Sequence, residues 1–259
     1  MLDSRHPLHR TEAEFFDDLY NEQRYHPLGW RLRLQRDLAS LLRYAGAARL
    51  GRVLSLGCGD GQFELMLAPY AEEVIGIDLS PQAIQRATQS ARQAGVDNVR
   101  FYCMPLEEFA WQETYDVVVC LAFLHHLPAE AVPPLLNRIA CHLTPNGIFY
   151  SLDPNRNAIL RHIVRALFPD FYHRFHSPDE RELDPSELRW QLLQAGFASV
   201  HIGYSDLVLI PMLFALAHGP AWVMHVAQAI DRLWCHSPLA PWASGFFAVA
   251  RKGGACPLR

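Results

Sequence analysis

RVLSLGCGDGQ, residues 52–62, joins a short apolar run to three glycines at alternate positions. The apolar run predicts a buried strand, and a helix is expected to follow the glycines. Glycine lets the backbone turn tightly and lets a ligand approach the chain closely. The amides at the start of that helix would then face the ligand. The glycines are Gly57, Gly59 and Gly61, and Cys58 lies between the first two.

A second signal follows this loop, where the apolar run EVIGI (73–77) ends in Asp78 and Leu79. An acid at the end of the second strand can accept hydrogen bonds from both hydroxyls of a ribose. Dinucleotide-binding loops need a third glycine at the position that Gln62 occupies, so this loop does not fit them. The loop and Asp78 together predict a nucleoside-containing cofactor of another kind.

Strands and helices alternate from residue 51 onward. Near-continuous apolar strands separated by helices predict a mainly parallel α/β sheet with helices on both faces. Such a sheet binds its ligands beyond the carboxyl ends of the strands. The predicted strands are 52–56, 73–77, 99–103, 116–122, 147–153, 199–205 and 244–252, and the helices between them are 61–70, 80–95, 133–143 and 184–196.

The chain is interpreted as one domain, residues 1–259. Residues 1–50 form a helical cap, in which 11–50 read as helical and begin at a capping box of Thr11 and Glu14. Residues 51–153 form the cofactor-binding core. Two helical insertions follow strands five and six, at 154–183 and 206–243.

Several segments resemble the class I (Rossmann-like) S-adenosylmethionine-dependent methyltransferase family, small-molecule type. They are the G-x-G-x-G loop, DVVVCLAFLHHLP (116–128), LTPNGIFYSLDPN (143–155) and LRWQLLQAGFASV (188–200). The resemblance covers residues 50–205 and the last strand. It implies a seven-stranded sheet whose last strand runs antiparallel between two others. It also implies S-adenosyl-L-methionine as cofactor.

The resemblance places the cofactor at the carboxyl ends of the first four strands, with two departures. The acid that the family has in the first strand, near the cofactor's amino group, is Ser55 here. The acid after the third strand is also missing, so adenine is held by backbone groups or by Glu107 or Glu108. The expected cofactor-binding residues are Gly57, Cys58, Gly59, Gly61, Asp78, Leu79, Met104, Pro105, Cys120 and Leu121.

Methyl transfer needs a base only when the acceptor must lose a proton. His125 and His126 follow the fourth strand, and histidine suits proton abstraction near neutral pH. The other interpretation is that one of them packs against the cofactor or caps a backbone carbonyl. In the first insertion, substrate contact and a solvated loop are equally open for Tyr172, His173 and His176. Tyr20, Tyr25 and Trp30 either contact the cofactor or belong to the core.

The insertions bear on the substrate. The first carries Arg156, Arg161, Arg165 and Arg174, and residues 207–230 contain no charged residue but are interrupted by prolines and a glycine. An apolar lid with a basic rim would suit a small hydrophobic or amphipathic substrate that is lipid-, quinone- or natural-product-like. Methylation at oxygen or carbon is expected. The uncharged stretch could instead complete the core, form a homodimer contact or rest on a membrane surface.

Charge and cysteine content narrow the remaining classes. The net charge of −4 and the absence of an Asn/Asp-Pro-Pro-aromatic run after strand four argue against nucleic acid as partner. The six cysteines form no CxxC pair, so no metal site is expected. Reduced thiols and the lack of an apolar leader predict a cytoplasmic, possibly membrane-associated, protein. Two alternatives stay open: a non-methylating reaction such as cyclisation, and a binding or scaffold role.

Overall fold

A computed structural model of the protein describes residues 25–46, 49–111, 113–169 and 180–253. Its centre is a seven-stranded sheet. The strands are β1 (Leu50–Leu56), β2 (Ala71–Asp78), β3 (Val99–Cys103), β4 (Tyr115–Leu121), β5 (Leu143–Pro154), β6 (Phe197–Ser205) and β7 (Gly245–Lys252).

The strand order is β3-β2-β1-β4-β5-β7-β6. Strands β1 to β5 pair in parallel, whereas β7 runs antiparallel to both β5 and β6. The predicted fold class and the antiparallel last strand are therefore confirmed. From β1 the chain continues to β2 on one side of the sheet, and from β4 it continues to β5 on the other side, so the strand order reverses between β1 and β4. Folds of this type bind their ligands beyond the carboxyl ends of the two strands at such a reversal.

Helices cover both faces of the sheet, as predicted. One core cluster packs β4 and β5 against α4 and α6, and the other packs β1, β2 and β5 against α1 and α2. The helices are α1 (Pro27–Ala45), α2 (Gln62–Leu67), α3 (Pro81–Ala94), α4 (Val132–His142), α5 (Ile159–Leu167), α6 (Pro185–Gln194), α7 (Leu209–Ala215) and α8 (Ala221–Cys235).

The helix predicted over residues 11–50 is wrong at both ends of its described part. Helix α1 begins at Pro27, after His26 as its N-cap, and ends at Ala45, followed by Gly46 as its C-cap with a φ of 65°. Proline suits the first turn of a helix and pushes the residue before it into an extended conformation, so the chain cannot continue as a helix through His26. The capping box of Thr11 and Glu14 lies outside the described residues.

Strand β5 begins before its predicted start at Gly147 and contains an irregularity in its first part. Tyr115 pairs with Leu143, but Val117 pairs with Ile148, so extra residues of β5 bulge from the ladder. Asn146 has a φ of 66°, a left-handed conformation that asparagine tolerates better than most residues. The strand thus begins at Leu143 and not at Gly147.

The second insertion packs against the N-terminal helix. Met224 and Ala227 of α8 share a buried cluster with Leu32 of α1 and Leu209 of α7. Asn155 joins the two insertions, since its side-chain amide donates to the carbonyl oxygens of residues 241 and 243 at 2.9 and 2.8 Å. Within the described ranges, no helix is long and apolar enough to cross a membrane. The single-domain interpretation stays a prediction.

Candidate active site

The glycine loop after β1 needs each of its glycines. Gly57, Gly59 and Gly61 have φ values of 71°, 55° and 75°, a region that side chains disfavour. A Cβ atom on Gly57 would lie 2.4 Å from the ring of Phe123, and one on Gly61 would lie 2.6 Å from Phe101. The loop therefore wraps closely over the ends of β1 and β4.

Asp78 ties the end of β2 to this loop. Its Oδ2 accepts a hydrogen bond from the Gly59 amide at 2.8 Å, and its Oδ1 accepts one from the Ser80 amide at 2.9 Å. Burial raises the pKa of Asp78, while these amides lower it. Each carboxylate oxygen can accept a further bond, so Asp78 can hold the loop and a ribose at once. Leu79 is half-buried beside it.

A buried acid that the sequence interpretation missed lies below the loop. The Ser55 hydroxyl donates to Glu64 Oε1 at 2.6 Å, and both residues are 2% exposed. Burial raises the pKa of Glu64 to about 7, although the Ser55 hydrogen bond lowers it. No hydrogen-bond partner is found for Oε2 within the part of the chain that the structure describes. The acid absent at Ser55 thus has a counterpart nine residues further on.

One of the three predicted N-terminal aromatics reaches the loop. The hydroxyl of Tyr25 lies close enough to the Gln62 side chain to hydrogen bond with it, and burial together with Asp60 raises its pKa. The Tyr25 ring contacts Trp30, whose own ring lies 5.2 Å from the Arg33 guanidinium carbon. Trp30 therefore supports the cap, and Tyr25 is the aromatic at the site. Tyr20 lies outside the described residues.

The turn after β3 is fixed beside Asp78. The Met104 amide donates to the Asp78 carbonyl oxygen at 3.0 Å, and Pro105 is buried. Glu107 and Glu108 are exposed on the 3-10 turn that follows. This turn can offer adenine its backbone groups and one of two carboxylates, so both predicted ways of holding adenine remain predictions.

The predicted residues of β4 and the loop cysteine are placed differently from one another. Cys120 is fully buried in the core on the α4 side, so only its backbone can contribute to a cofactor site. Leu121 is half-buried, and Cys58 is buried, which raises the pKa of its thiol. Ala122 follows with a φ of 54°, and strained backbone of this kind is often found at functional sites.

His125 is paired with a carboxylate from the neighbouring strand. Its Nδ1 lies 3.0 Å from Asp153 Oδ1, and its backbone amide donates to the same oxygen at 3.2 Å. Its Nε2 lies 3.7 Å from Glu180 Oε1. Burial raises the pKa of Asp153 to about 7. The end of β5 therefore orients the imidazole that follows β4.

His126 occupies a different environment from His125. Its ring centroid is 4.0 Å from that of His125, but it is half-buried. A positive charge on His126 lowers the pKa of both Asp78 and Asp153, so the ring lies between the cofactor side and the end of β5. The structure thus brings the rings of both predicted histidines together after β4. The predicted substrate residues Tyr172, His173 and His176 lie outside the described residues.

No group of three side chains suited to hold a metal ion is present in residues 25–46, 49–111, 113–169 and 180–253.

Residues 53–147 match a family described as a methyltransferase domain. The chain is 34% identical over 161 residues to the ubiquinone biosynthesis O-methyltransferase of Bordetella pertussis, which covers 59% of this chain and 64% of that protein. It spans slightly less than two thirds of the length of the curated relatives that it matches, including the uncharacterized methyltransferase YcgJ of Bacillus subtilis.

Two solved structures share the fold. The structure of the DhpI-SAH complex has a TM-score of 0.61 at 18% identity and covers 95% of this chain and 98% of that one. The [4+2]-cyclase SpnF has a TM-score of 0.58 at 19% identity and covers 84% of this chain and 80% of that one.

Proposed function

We propose that the chain is a class I S-adenosylmethionine-dependent methyltransferase that methylates an oxygen or carbon atom of a small apolar or amphipathic molecule. The observation that carries this proposal is the glycine loop held by Asp78. Three left-handed glycines turn the backbone tightly at the start of α2, and the carboxylate of Asp78 stands beside them.

The residues present fit the cofactor. Asp78 would accept from the ribose hydroxyls, and the turn at Met104 and Pro105 would hold adenine. The loop amides would line the remainder. When bound, S-adenosylmethionine supplies a methyl group on positively charged sulfur, so the chain need not activate the donor. Its residues align the reactants and exclude water, which can lower a barrier by roughly 7–11 kcal/mol.

His125 is the proposed proton acceptor. A base that is oriented by a second group is the usual arrangement at such sites. Here Asp153 holds Nδ1 at 3.0 Å and so fixes the orientation of the ring, whose Nε2 would accept the proton of a hydroxyl acceptor. His126, at the boundary with the cofactor side, would position the acceptor. Replacement of His125 by Gln should lower kcat about 10²–10⁴-fold and flatten the acid limb of the pH profile; an unchanged pH profile would contradict this role.

The insertions support an apolar substrate. Exposed apolar side chains repeat along α5 at Ile159, Ile163 and Leu167, next to Arg161 and Arg165. The name of the Bordetella relative, ubiquinone biosynthesis O-methyltransferase, supports a quinone-like acceptor that is methylated on oxygen.

We also infer a cytoplasmic enzyme whose exposed helices contact a lipid surface. Helix α8 presents Trp222, Val226, Ile230 and Leu233 at three- and four-residue spacing. Its acid, Asp231, is buried, whereas Arg232 follows it on the exposed side of the chain. Apolar residues with arginines nearby suit an anionic bilayer. A second copy of the chain is the other possible occupant of this face.

The decisive experiment is calorimetric titration with S-adenosylmethionine and, separately, S-adenosylhomocysteine. Micromolar binding that is lost in Asp78→Ala would support the cofactor. Mass spectrometry of products from a panel of quinone-like and lipid-like hydroxyl compounds would then distinguish methylation, which adds one CH₂ unit, from cyclisation, which adds nothing. Folded protein that binds neither ligand would overturn the proposal and favour a scaffold role.

A further inference from the structure

The buried pair of Ser55 and Glu64 lowers the stability of the core in which it lies. Glu64 is 2% exposed, and its only hydrogen bond from another side chain in the described residues comes from Ser55. Its Oε2 is buried without a partner in the same residues. Burying a carboxylate that is incompletely hydrogen-bonded costs free energy, and an apolar residue would avoid the cost. A ligand that donates to Oε2 would account for the acid.

The position of the pair favours a ligand of the glycine loop. Ser55 lies two residues before Gly57 at the end of β1, and Glu64 lies in the first turn of α2, three residues after Gly61. The two residues therefore lie on either side of the loop in the sequence, and their side chains meet through a hydrogen bond. The strand order β3-β2-β1-β4 indicates how a bound cofactor would extend across the sheet. A nucleoside held at β2 and β3 leaves the rest of the cofactor over β1, where the pair lies.

The charges around Glu64 favour a cation. Asp60 and Asp78 stand near it and raise its pKa further, and the same carboxylates raise the pKa of the Cys58 thiol. Glu64 makes no ion pair with any described residue of the chain. Three carboxylates around one loop would gain from a positive group more than from a neutral one.

We propose that Ser55 and Glu64 form a carboxylate–hydroxyl pair that binds the ammonium group at the amino-acid end of the cofactor. The acid reaches this place from helix α2 and not from strand β1. An ammonium group has three donors and no acceptor, which matches the unpartnered Oε2. This inference rests on the proposed function, since it takes S-adenosylmethionine as the ligand.

Two probes test the pair by calorimetry: S-adenosylhomocysteine, which carries the ammonium group, and 5′-methylthioadenosine, which lacks it. Glu64→Gln should weaken S-adenosylhomocysteine about 10–100-fold, the effect of one lost charge-assisted hydrogen bond, and leave methylthioadenosine within about threefold. Glu72→Gln is the matched control, because Glu72 is exposed at the other end of β2. It should change neither affinity.

If Glu64→Gln weakens the binding of both probes equally, or of neither, the proposed role of the pair is wrong. Wild-type protein that binds neither probe would instead contradict the proposed function. Should Glu64→Gln fail to fold, the exchange of Ser55→Asp with Glu64→Ser carries the same test, since it returns the carboxylate to the strand. The exchanged protein should bind S-adenosylhomocysteine within about fivefold of the wild type; folded exchanged protein that has lost this ligand but keeps methylthioadenosine overturns the inference.

Discussion

Two buried carboxylates, Glu64 under the glycine loop and Asp206 after β6, differ in whether arginine side chains lie beside them. Under the glycine loop, Glu64 is 2% exposed, and burial raises its pKa to about 7. After β6, Asp206 is 1% exposed, and burial acts on its pKa in the same direction. There the charges of Arg36 and Arg33 outweigh burial and lower the pKa of Asp206 to about 2.

The difference separates a closed cluster from an open one. In the closed cluster, Asp206 Oδ1 accepts from Arg36 at 2.6 Å and Oδ2 accepts from Arg33 at 3.3 Å. These bonds join α1 to the start of the second insertion, so the cluster holds the cap in place. In the open cluster, the one side-chain hydrogen bond that Glu64 accepts from the described residues comes from the Ser55 hydroxyl. The buried Asp206 thus joins two parts of the fold through its arginines, whereas for the buried Glu64 we propose a ligand.

The largest expected effect comes from breaking the closed cluster. Asp206→Asn keeps a side chain that tolerates the observed φ of 63° but removes the charge that pairs with both arginines. We expect the free energy of unfolding to fall by about 3–5 kcal/mol, the usual cost of leaving one partner of a buried ion pair. Urea unfolding at pH 7 measures this. Glu187→Gln is the control, since its 3.8 Å contact with Arg156 is exposed. Equal losses in the two variants would show that the cluster is not structural.

Removing the charge of Glu64 should instead raise the free energy of unfolding. The pKa of Glu64 rises from 4.5 in the unfolded chain to about 7 in the folded one. Its protonated form therefore stabilises the fold below pH 4.5, and this contribution is lost as the pH rises through 7. Glu64→Gln should then raise the free energy of unfolding on the order of 2–3 kcal/mol at pH 8 and change little at pH 4.5. Thermal unfolding at both pH values, with Glu72→Gln as control, would reveal a destabilised variant if the idea is wrong.

The open cluster also shows what the sequence could predict. The spacing of Gly57, Gly59 and Gly61 and the acid at the end of β2 predicted the loop, because both depend on local backbone conformation and on where strands end. The antiparallel last strand was predicted through the family resemblance. The structure confirms that fold, and it brings the rings of His125 and His126 together after β4.

Long-range side-chain pairs could not be predicted in the same way. Ser55 was noted as a missing acid, but its partner Glu64 follows from the packing of α2 on β1 and from no sequence period. Asp206 and Arg36 are 170 residues apart, and only the fold brings them together. Asp153, which orients His125, lies at the end of a strand whose start was misplaced by four residues.

Helix α1 and the bend before it touch both clusters, which allows a smaller test. Tyr25 reaches Gln62 at the open cluster, whereas Arg33 and Arg36 belong to the closed one. Tyr25→Phe should weaken S-adenosylmethionine about three- to tenfold through loss of one hydrogen bond that positions the loop. Its unfolding free energy should stay within about 1 kcal/mol of the wild type. The control is Tyr44→Phe, because Tyr44 lies at the other end of α1 and hydrogen bonds with His201; it should leave the affinity unchanged. A similar loss in both variants would place Tyr25 in the architecture alone.

The smallest effect on stability is expected from substitutions on the exposed face of helix α8, in the insertion that the closed cluster joins to α1. Trp222 and Leu233 of α8 are 66% and 78% exposed, so changing both to Ser removes little buried area. We expect unfolding free energy to change by less than about 0.5 kcal/mol. Sedimentation with phosphatidylglycerol vesicles should nevertheless fall several-fold.

Trp190→Ser is the matched control for this change, because Trp190 is 61% exposed on α6, outside the insertions. It should sediment as the wild type does. Binding by the wild type should weaken with salt and on neutral phosphatidylcholine vesicles, since arginines contribute the electrostatic part. If the double variant instead changes the elution volume in size-exclusion chromatography and not the vesicle binding, this face joins two copies of the chain. The insertion that the paired charges hold in place would then build an oligomer and not a contact with lipid.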